Sequence, residues 1–496
     1  MLRTSLTLSC QKSWLTLADK LVFDYEPKTR PMKHQVDAIR YVVSHDVVPL
    51  FDEQGLGKSK IVIDALCRNF RDKQIDGAII VCRKTLLNTW KEEIEKHSNL
   101  FAVILDGSKQ KRSRSLLTFG HFYIANYESF VQEIELITLL LKNKRYALVL
   151  DESQRIKNPS SKTAKAILSL RDLATKRIII TGTPIANKPE DIWSQFFFLD
   201  GGKLLGTDYY AFKKQFTVSL KGVEDLSPFE LSLGFLRKQI SQVSIRRTKD
   251  ILELPDKLYE DVDAILSPKQ RSAYDLAREE MIYEISNTDG DLIEKDIDNY
   301  LVKLLRLTQI ASNPGLLDVA YNEEPGKFPV LDRIVNEIIS KNEKVIIWTS
   351  FTGNVRTLRN RYSKFGSQML FGEVPIADRN AVIKKFQGDP QCRVLVANPA
   401  AAKEGLTLTA ANHAIYLDRT FKMDDYLQSQ DRIHRIGQTR KCMITKLIAE
   451  NTVDEYTDEI LEKKEVIARY ALSDTKHILN KREYLSRDDL LRILGG

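Results

Sequence analysis

The stretch Phe51–Lys60, FDEQGLGKSK, constrains this chain more than any other. A short apolar run, Val47–Phe51, precedes it, and Ile61–Leu66 reads as the start of a helix. Strand, Gly-rich turn ending in Gly-Lys-Ser, then helix is the layout of a phosphate-binding loop. N–H groups at a helix N-terminus, together with the helix dipole, favour an anion there. Gly55 and Gly57 would let the backbone approach the phosphates, Lys58 would reach the β- and γ-phosphates, and Ser59 would offer a hydroxyl to Mg2+. One position departs from the general pattern: Asp52 stands where a glycine is expected. Taken alone, the stretch has a second reading, a Gly-rich strand-to-helix turn.

Length and composition frame what surrounds it. A chain of 496 residues suits two large lobes with insertions better than one core. Hydrophobic residues at 43% and charged residues at 29% are ordinary for a globular chain. No apolar run approaches the ~18–20 residues of a membrane span. Cys10, Cys67, Cys82, Cys392 and Cys442 are scattered, with no CxxC, which argues against a disulfide framework or a structural zinc. A net charge of +8 over this length hints only mildly at a polyanionic partner.

Residues 1–30 are mixed and end in EPKTRP, a boundary signal. Over 31–200, apolar runs at 47–51, 77–82, 121–127, 146–150 and 177–181 alternate with helical stretches. That rhythm predicts a parallel sheet covered on both faces. Residues 201–330 lose the alternation and read as helical insertions and a linker, for example 266–285 and 299–311. The acidic segment NTDGDLIEKDID within them reads as a solvated turn. The β–α rhythm resumes over 331–465, with apolar runs at 344–351, 392–398, 413–418 and 443–449, and 466–496 reads as a basic helical tail. The expected fold is therefore α/β, two parallel-sheet lobes with helical insertions between them.

Three further motifs carry chemistry. In YALVLDESQRIKN, a strand ends in Asp151 and Glu152. Ligands of open parallel sheets sit beyond the carboxyl ends of the strands, so both carboxylates would face the crevice of Lys58. Asp151 suits holding Mg2+, and Glu152 suits orienting and deprotonating a water. In RIIITGTP, Thr181 and Thr183 flank Gly182 at another strand end, where hydroxyls could couple the acids to movement. In YLQSQDRIHRIGQTR, Arg432 and Arg435 are spaced to share one helix face and could meet a γ-phosphate. They fall in the second lobe, so the site would be completed only on lobe closure. His434 between them reads as a hydrogen-bonding or packing residue, since no second metal ligand has suitable spacing.

Together these motifs resemble the Swi/Snf-type ATPases of helicase superfamily two, over roughly 30–460. That family carries an acid at the Asp52 position of its phosphate loop. Gln35 in MKHQ falls at its adenine-reading glutamine. IIVCRKTLLNTWKEEI is similar to its next motif, with Arg83 in place of a usual proline. DESQRIKN resembles its DEAH-like box, with Gln154 fourth, and SIRRTKDILELPDK, with Arg246 and Arg247, resembles its inter-lobe segment. LLRLTQIASNPGLL resembles a stretch before its second lobe. EGLTLTAANHAIYLD, which contains Gly405, is nearest to the HARP-type annealing-helicase branch, and DRIHRIGQ resembles one of the most distinctive motifs of the whole family. After Asp418 the chain reads RTFKMDDY where Trp-Asn-Pro is usual.

The resemblance implies two RecA-like lobes, binding of ATP with Mg2+, and ATP-driven translocation along double-stranded DNA, branched DNA included. Gln35, Asp52, Gly55, Gly57, Lys58, Ser59 and Gly405 would contact nucleotide; Lys58, Asp151, Glu152, Arg432 and Arg435 would serve catalysis. Grip on the phosphate backbone needs cations, hydroxyls and N–H groups. Lys84, Thr85, Lys157, Asn158, Ser350, Thr352, Thr407 and Thr409 are the candidates, expected on loops opposite the ATP face. A strand-separating DNA or RNA helicase and a non-hydrolysing clamp are the other readings; a nuclease lacks the acids. The small extent of 1–30 and 466–496 suits a minimal bacterial or viral motor in the cytoplasm, or in the nucleus if eukaryotic.

Overall fold

The computed structural model describes residues 27–185, 188–216, 227–252, 254–288, 297–404, 406–421, 423–459, 461 and 487–495. They divide into two compact units, one up to Ile251 and one from Leu252 onward.

The first unit is built on a six-stranded sheet. Its strands are β1 (Val47–Leu50), β2 (Gly77–Cys82), β3 (Ala102–Leu105), β4 (Phe122–Asn126), β5 (Tyr146–Asp151) and β6 (Lys176–Ile180). Their order is β1-β6-β5-β2-β4-β3, and every pairing is parallel. Helices cover both faces, so β2 and β4 are buried along their whole length. Pro49 cannot donate to a ladder and lies in β1, at the end of the strand order. The helix Lys58–Arg71 buries Ile61, Val62, Ala65 and Leu66 in the same core as Ile80, Val149 and Ile178.

The helix Lys33–Ser44 packs through Ala38, Ile39 and Val42. Its terminal carbonyls need partners. Lys176, the first residue of β6, is buried and donates to Val42 O (2.6 Å), Val43 O (3.2 Å) and His45 O (2.7 Å). Burial pushes its ammonium down to about 8, opposed by Asp46.

The second unit repeats the scheme. Its strands are β7 (Lys257–Ala264), β8 (Val345–Trp348), β9 (Gln368–Leu370), β10 (Val394–Ala397), β11 (His413–Tyr416) and β12 (Cys442–Ala449), in the order β7-β12-β11-β8-β10-β9 and again all parallel. The two parallel-sheet lobes expected from the apolar runs are thus present. The stretch 201–330 is shared between the units. It gives the second sheet its strand β7, and the helices Pro268–Ser286 and Ile297–Ser312 build a further core around Tyr274, Met281, Leu304 and Leu307, joined by Val453 and Leu490. Most of the acidic turn, residues 289–296, lies outside the described residues, as does the tail over 462–486.

Replacing Lys176 by alanine would strip three helix-end carbonyls of their donor, with Val42 O the buried one. We expect Lys176→Ala to lower unfolding stability by about 1–3 kcal/mol, measurable by urea titration.

Candidate functional site

Three motif-bearing turns leave neighbouring strands of the first sheet. The phosphate loop follows β1, the Thr181–Thr183 turn follows β6, and Asp151–Glu152 closes β5. In a parallel sheet these carboxyl ends share one edge, so the topology gathers the three without long-range design.

The loop has the form of an anion cradle. Gly55 and Gly57 take φ of 90° and 80°, which disfavour a side chain. A Cβ on Gly57 would also lie 2.3 Å from Gln35 Nε2. The helix Lys58–Arg71 has no side-chain cap, and its first internal bond is Ile61 N to Gly57 O. The N–H groups of Lys58, Ser59 and Lys60 therefore precede the ladder and suit phosphate oxygens. Lys58 Nζ donates to the carbonyls of Asp52 (2.7 Å) and Glu53 (3.0 Å). Burial holds its ammonium below the ordinary value, while Glu152, Asp52 and Asp151 work in the opposite direction. Gln35 is buried; its Oε1 accepts from Met32 N (2.9 Å) and its Nε2 donates to Leu56 O (3.2 Å), so it braces the loop.

Asp52 is 0% exposed, and its carboxylate is taken by Arg247: Nε donates to Oδ1 at 2.9 Å and Nη2 to Oδ2. The segment around Arg247 lies parallel to the start of the loop, with Ile245 bridged to Leu50, Phe51 N bonded to Ile245 O and Glu53 N to Arg247 O. Arg246 Nη1 donates to Phe51 O at 2.8 Å. Asp52 thus fixes the loop from below; its carboxylate points to a protein cation.

At β5, Asp151 Oδ2 accepts from Trp90 Nε1 (2.8 Å), Oδ1 accepts from Glu152 N (3.0 Å), and the Asp151 carbonyl accepts from the Tyr127 hydroxyl (2.8 Å). Burial, then the neighbouring Glu152, raises the Asp151 carboxyl to about 6. Glu152 has φ 53°, a left-handed conformation that a side chain adopts at a cost of roughly 1–2 kcal/mol. Gln154 Nε2 holds its Oε2 at 2.6 Å. Gln154 Oε1 and the Thr183 hydroxyl are buried without partners. Uncapped helix N–H groups, a lysine, a paired-acid strand end and unanswered polar atoms fit a nucleotide with its divalent cation: Lys58 and Ser59 would face the phosphates, Ser59 and Asp151 the cation.

In the second unit the helix Met423–Gln430 ends before the arginines. Arg432 N and Ile433 N bond three residues back, and Gly437 (φ 100°) turns the chain away. The shared helix face expected for Arg432 and Arg435 is therefore a turn. The two guanidiniums still converge: both donate to Leu406 O, at 3.4 and 3.1 Å, and Arg435 also reaches Thr407 Oγ1 at 2.9 Å. His434 Nε2 is bonded to Pro255 O at 2.8 Å. Gly405 lies outside the described residues.

The backbone-grip candidates fall differently from the expectation. Lys84 and Thr85 follow β2, and Lys157 and Asn158 follow β5, so they share the Lys58 edge and do not lie opposite it, because parallel strands all end there. Lys84 and Asn158 are exposed, whereas Lys157 pairs with Asp191 at 3.4 Å. In the second unit Ser350 and Thr352 follow β8, and Thr352 is exposed. Ser350 N donates to Asp418 Oδ1 (2.6 Å), whose Oδ2 accepts from Thr349 (2.6 Å) and Ser312 (2.9 Å). Thr409 O accepts from Gln438 Nε2 at 3.3 Å. Trp90 and Tyr127 were missed as partners of Asp151; Trp90 lies inside the quoted TLLNTW run but carries no charge to mark it.

Two family models match this chain. The SNF2-related domain model matches residues 34–316 and the helicase conserved C-terminal domain model matches 326–437. The chain belongs to the SNF2-related family. Among curated relatives, an uncharacterised ATP-dependent helicase of Mycoplasma pneumoniae is 29% identical over 90% of this chain and 42% of its own length. The putative ATP-dependent helicase/translocase YwqA of Bacillus subtilis is 28% identical over 84% and 46%. The mouse DNA annealing helicase and endonuclease ZRANB3 is 25% identical over 95% and 44%. The chain thus spans less than half of each of these relatives. A Sulfolobus solfataricus SWI2/SNF2 ATPase core in complex with dsDNA is 28% identical over 96% of this chain and 99% of its own, with a TM-score of 0.43, too low to bear on the fold.

Two stability predictions follow from the geometry. Arg247→Ala strands the buried Asp52 carboxylate and should cost on the order of 3 kcal/mol, largely recovered in the Asp52→Ala double variant; a thermal-unfolding cycle reads this. Asp151→Asn removes a group whose folded pKa is raised, so folding no longer opposes its ionisation. The variant should gain on the order of 1–3 kcal/mol at neutral pH. Because the wild-type carboxyl is protonated in both states at low pH, the gain should be complete above about pH 6 and absent below about 4.

Proposed function

We propose that this chain is an ATP-driven motor that moves along double-stranded DNA without needing to part the strands. The observation that supports it most is the meeting, on adjacent strand ends β1, β6 and β5, of an uncapped phosphate loop, a hydroxyl turn and an acid pair. ATP supplies the phosphoanhydride to be broken, and Mg2+ the charge neutralisation. Lys58 and the loop N–H groups would bind the β- and γ-phosphates. Glu152, its carboxylate held by Gln154, would align a water and accept its proton. Arg432 and Arg435 would answer the charge that spreads over the γ-phosphate in the transition state. Lys84, Thr85 and Asn158, and in the second unit Ser350 and Thr352, would meet backbone phosphates, which carry no base identity.

The printed name of one relative, the DNA annealing helicase and endonuclease ZRANB3, agrees with this choice of track, and branched DNA is a further substrate to test. Among the described residues no helix is long and apolar enough to cross a membrane. A cytoplasmic setting, or a nuclear one in a eukaryote, fits a DNA motor.

Lys58→Ala and Glu152→Gln should each abolish DNA-stimulated ATP hydrolysis and leave the unfolding transition in place. Full turnover by either variant would sink the site. Across duplex, forked, single-stranded and RNA substrates, duplex or forked DNA should stimulate most. Affinity should fall steeply with salt as counterions are released. Equal or better stimulation by RNA or single strands would count against the duplex track.

A further inference from the structure

Three buried glutamines surround the arginine turn, and two of them are hydrogen-bonded. Gln438 Nε2 reaches the carbonyls of Thr409 (3.3 Å), Ala411 (2.9 Å) and Ile433 (3.1 Å). Gln430 Oε1 accepts from the Tyr259 hydroxyl (3.0 Å) and from Lys257 Nζ (3.4 Å). Just before Gln430, Ser429 is also engaged, with Tyr426 O and the Tyr416 hydroxyl. Gln428 is the exception. It is 2% exposed, and neither its Oε1 nor its Nε2 has a partner. Folded chains seldom bury a whole carboxamide unanswered, because both ends of its dipole lose water for nothing.

Its place in the fold narrows what it waits for. The helix that carries it, Met423–Gln430, packs against the turn Pro399–Glu404. That turn leads to Leu406 and Thr407, the acceptors that hold Arg432 and Arg435. Leu408 N is bonded in turn to Arg432 O at 2.9 Å. One carbonyl, Leu406 O, thus takes two guanidiniums while an adjoining helix holds an idle amide donor.

We propose that Gln428 is a positioning residue for the arginine pair, taking over the Leu406 carbonyl when the guanidiniums turn to a phosphate. The exchange gives up the Arg435 contact to the half-exposed Thr407 hydroxyl but re-pairs the shared carbonyl. Gln428 Nε2 gains an acceptor, Leu406 O keeps a donor, and the arginines trade a neutral carbonyl for an anion, the stronger bond. Without the amide, releasing the arginines would leave the half-buried Leu406 O without either guanidinium donor. Gln428 therefore sets how readily Arg432 and Arg435 reach their working orientation. The inference rests on the motor function proposed above.

The test is Gln428→Met in the full chain, with Gln428→Leu as a second apolar replacement. An idle amide contributes nothing to the fold, so the melting temperature should stay within about 2 °C or rise. DNA-stimulated kcat should fall by about tenfold or more with KM for ATP little changed, the mark of an interaction made after binding. Wild-type kcat in a folded variant would overturn the proposal while leaving the motor function standing. A large drop in melting temperature for both replacements would also overturn it, since the amide would then be pairing in the resting fold. A wild-type chain without DNA-stimulated hydrolysis would remove the motor function and this inference together.

Discussion

A carboxylate with no access to water lies at the root of the phosphate loop, and the surrounding unit is arranged to answer it. Asp52 is matched by Arg247, which lies 195 residues further along the chain. The match draws Ile245 alongside Leu50 and sets Arg246 against the carbonyl of Phe51. An isolated buried carboxylate would be prohibitive, so loop and segment can be ordered only together. The glycine that a general phosphate loop carries at this position could not do this. Asp52 therefore trades one degree of backbone freedom for a fixed link between the loop and the last segment of its unit.

Elsewhere the protein concentrates its awkward chemistry at strand ends. β2, β4 and the interiors of β5 and β6 are plain apolar runs with little to fault. Beyond their ends come an aspartic acid that burial discourages from ionising, a glutamate in a left-handed backbone and polar atoms without partners. Local rules fail most where a ligand has to be met, because a site complete in itself has nothing left to offer one.

What could be read from the residues, and what could not, follows from burial. The strands visible as apolar runs, among them β2, β5, β8 and β10, are covered on both faces. β3, β7 and β9 went unread, and all three end their sheets, where half-exposed or exposed positions break the run. The phosphate loop and the Asp151–Glu152 pair were legible because their chemistry is local in sequence. The cause of Asp52 was not, since its partner is remote. Nor was the turn at Arg432 and Arg435: their spacing suits a helix, but the helix stops at Gln430, and a single carbonyl gathers the two side chains instead.

The last strand of the second sheet, β7, ends it with Glu260, Asp261 and Asp263 exposed. A long open strand is normally a template on which another copy can lay its own backbone. Here two such edges would bring like charges into register, and the approach would be repelled before any ladder could form. The β7 edge should therefore resist laying down on a second β7, at no cost to the apolar core.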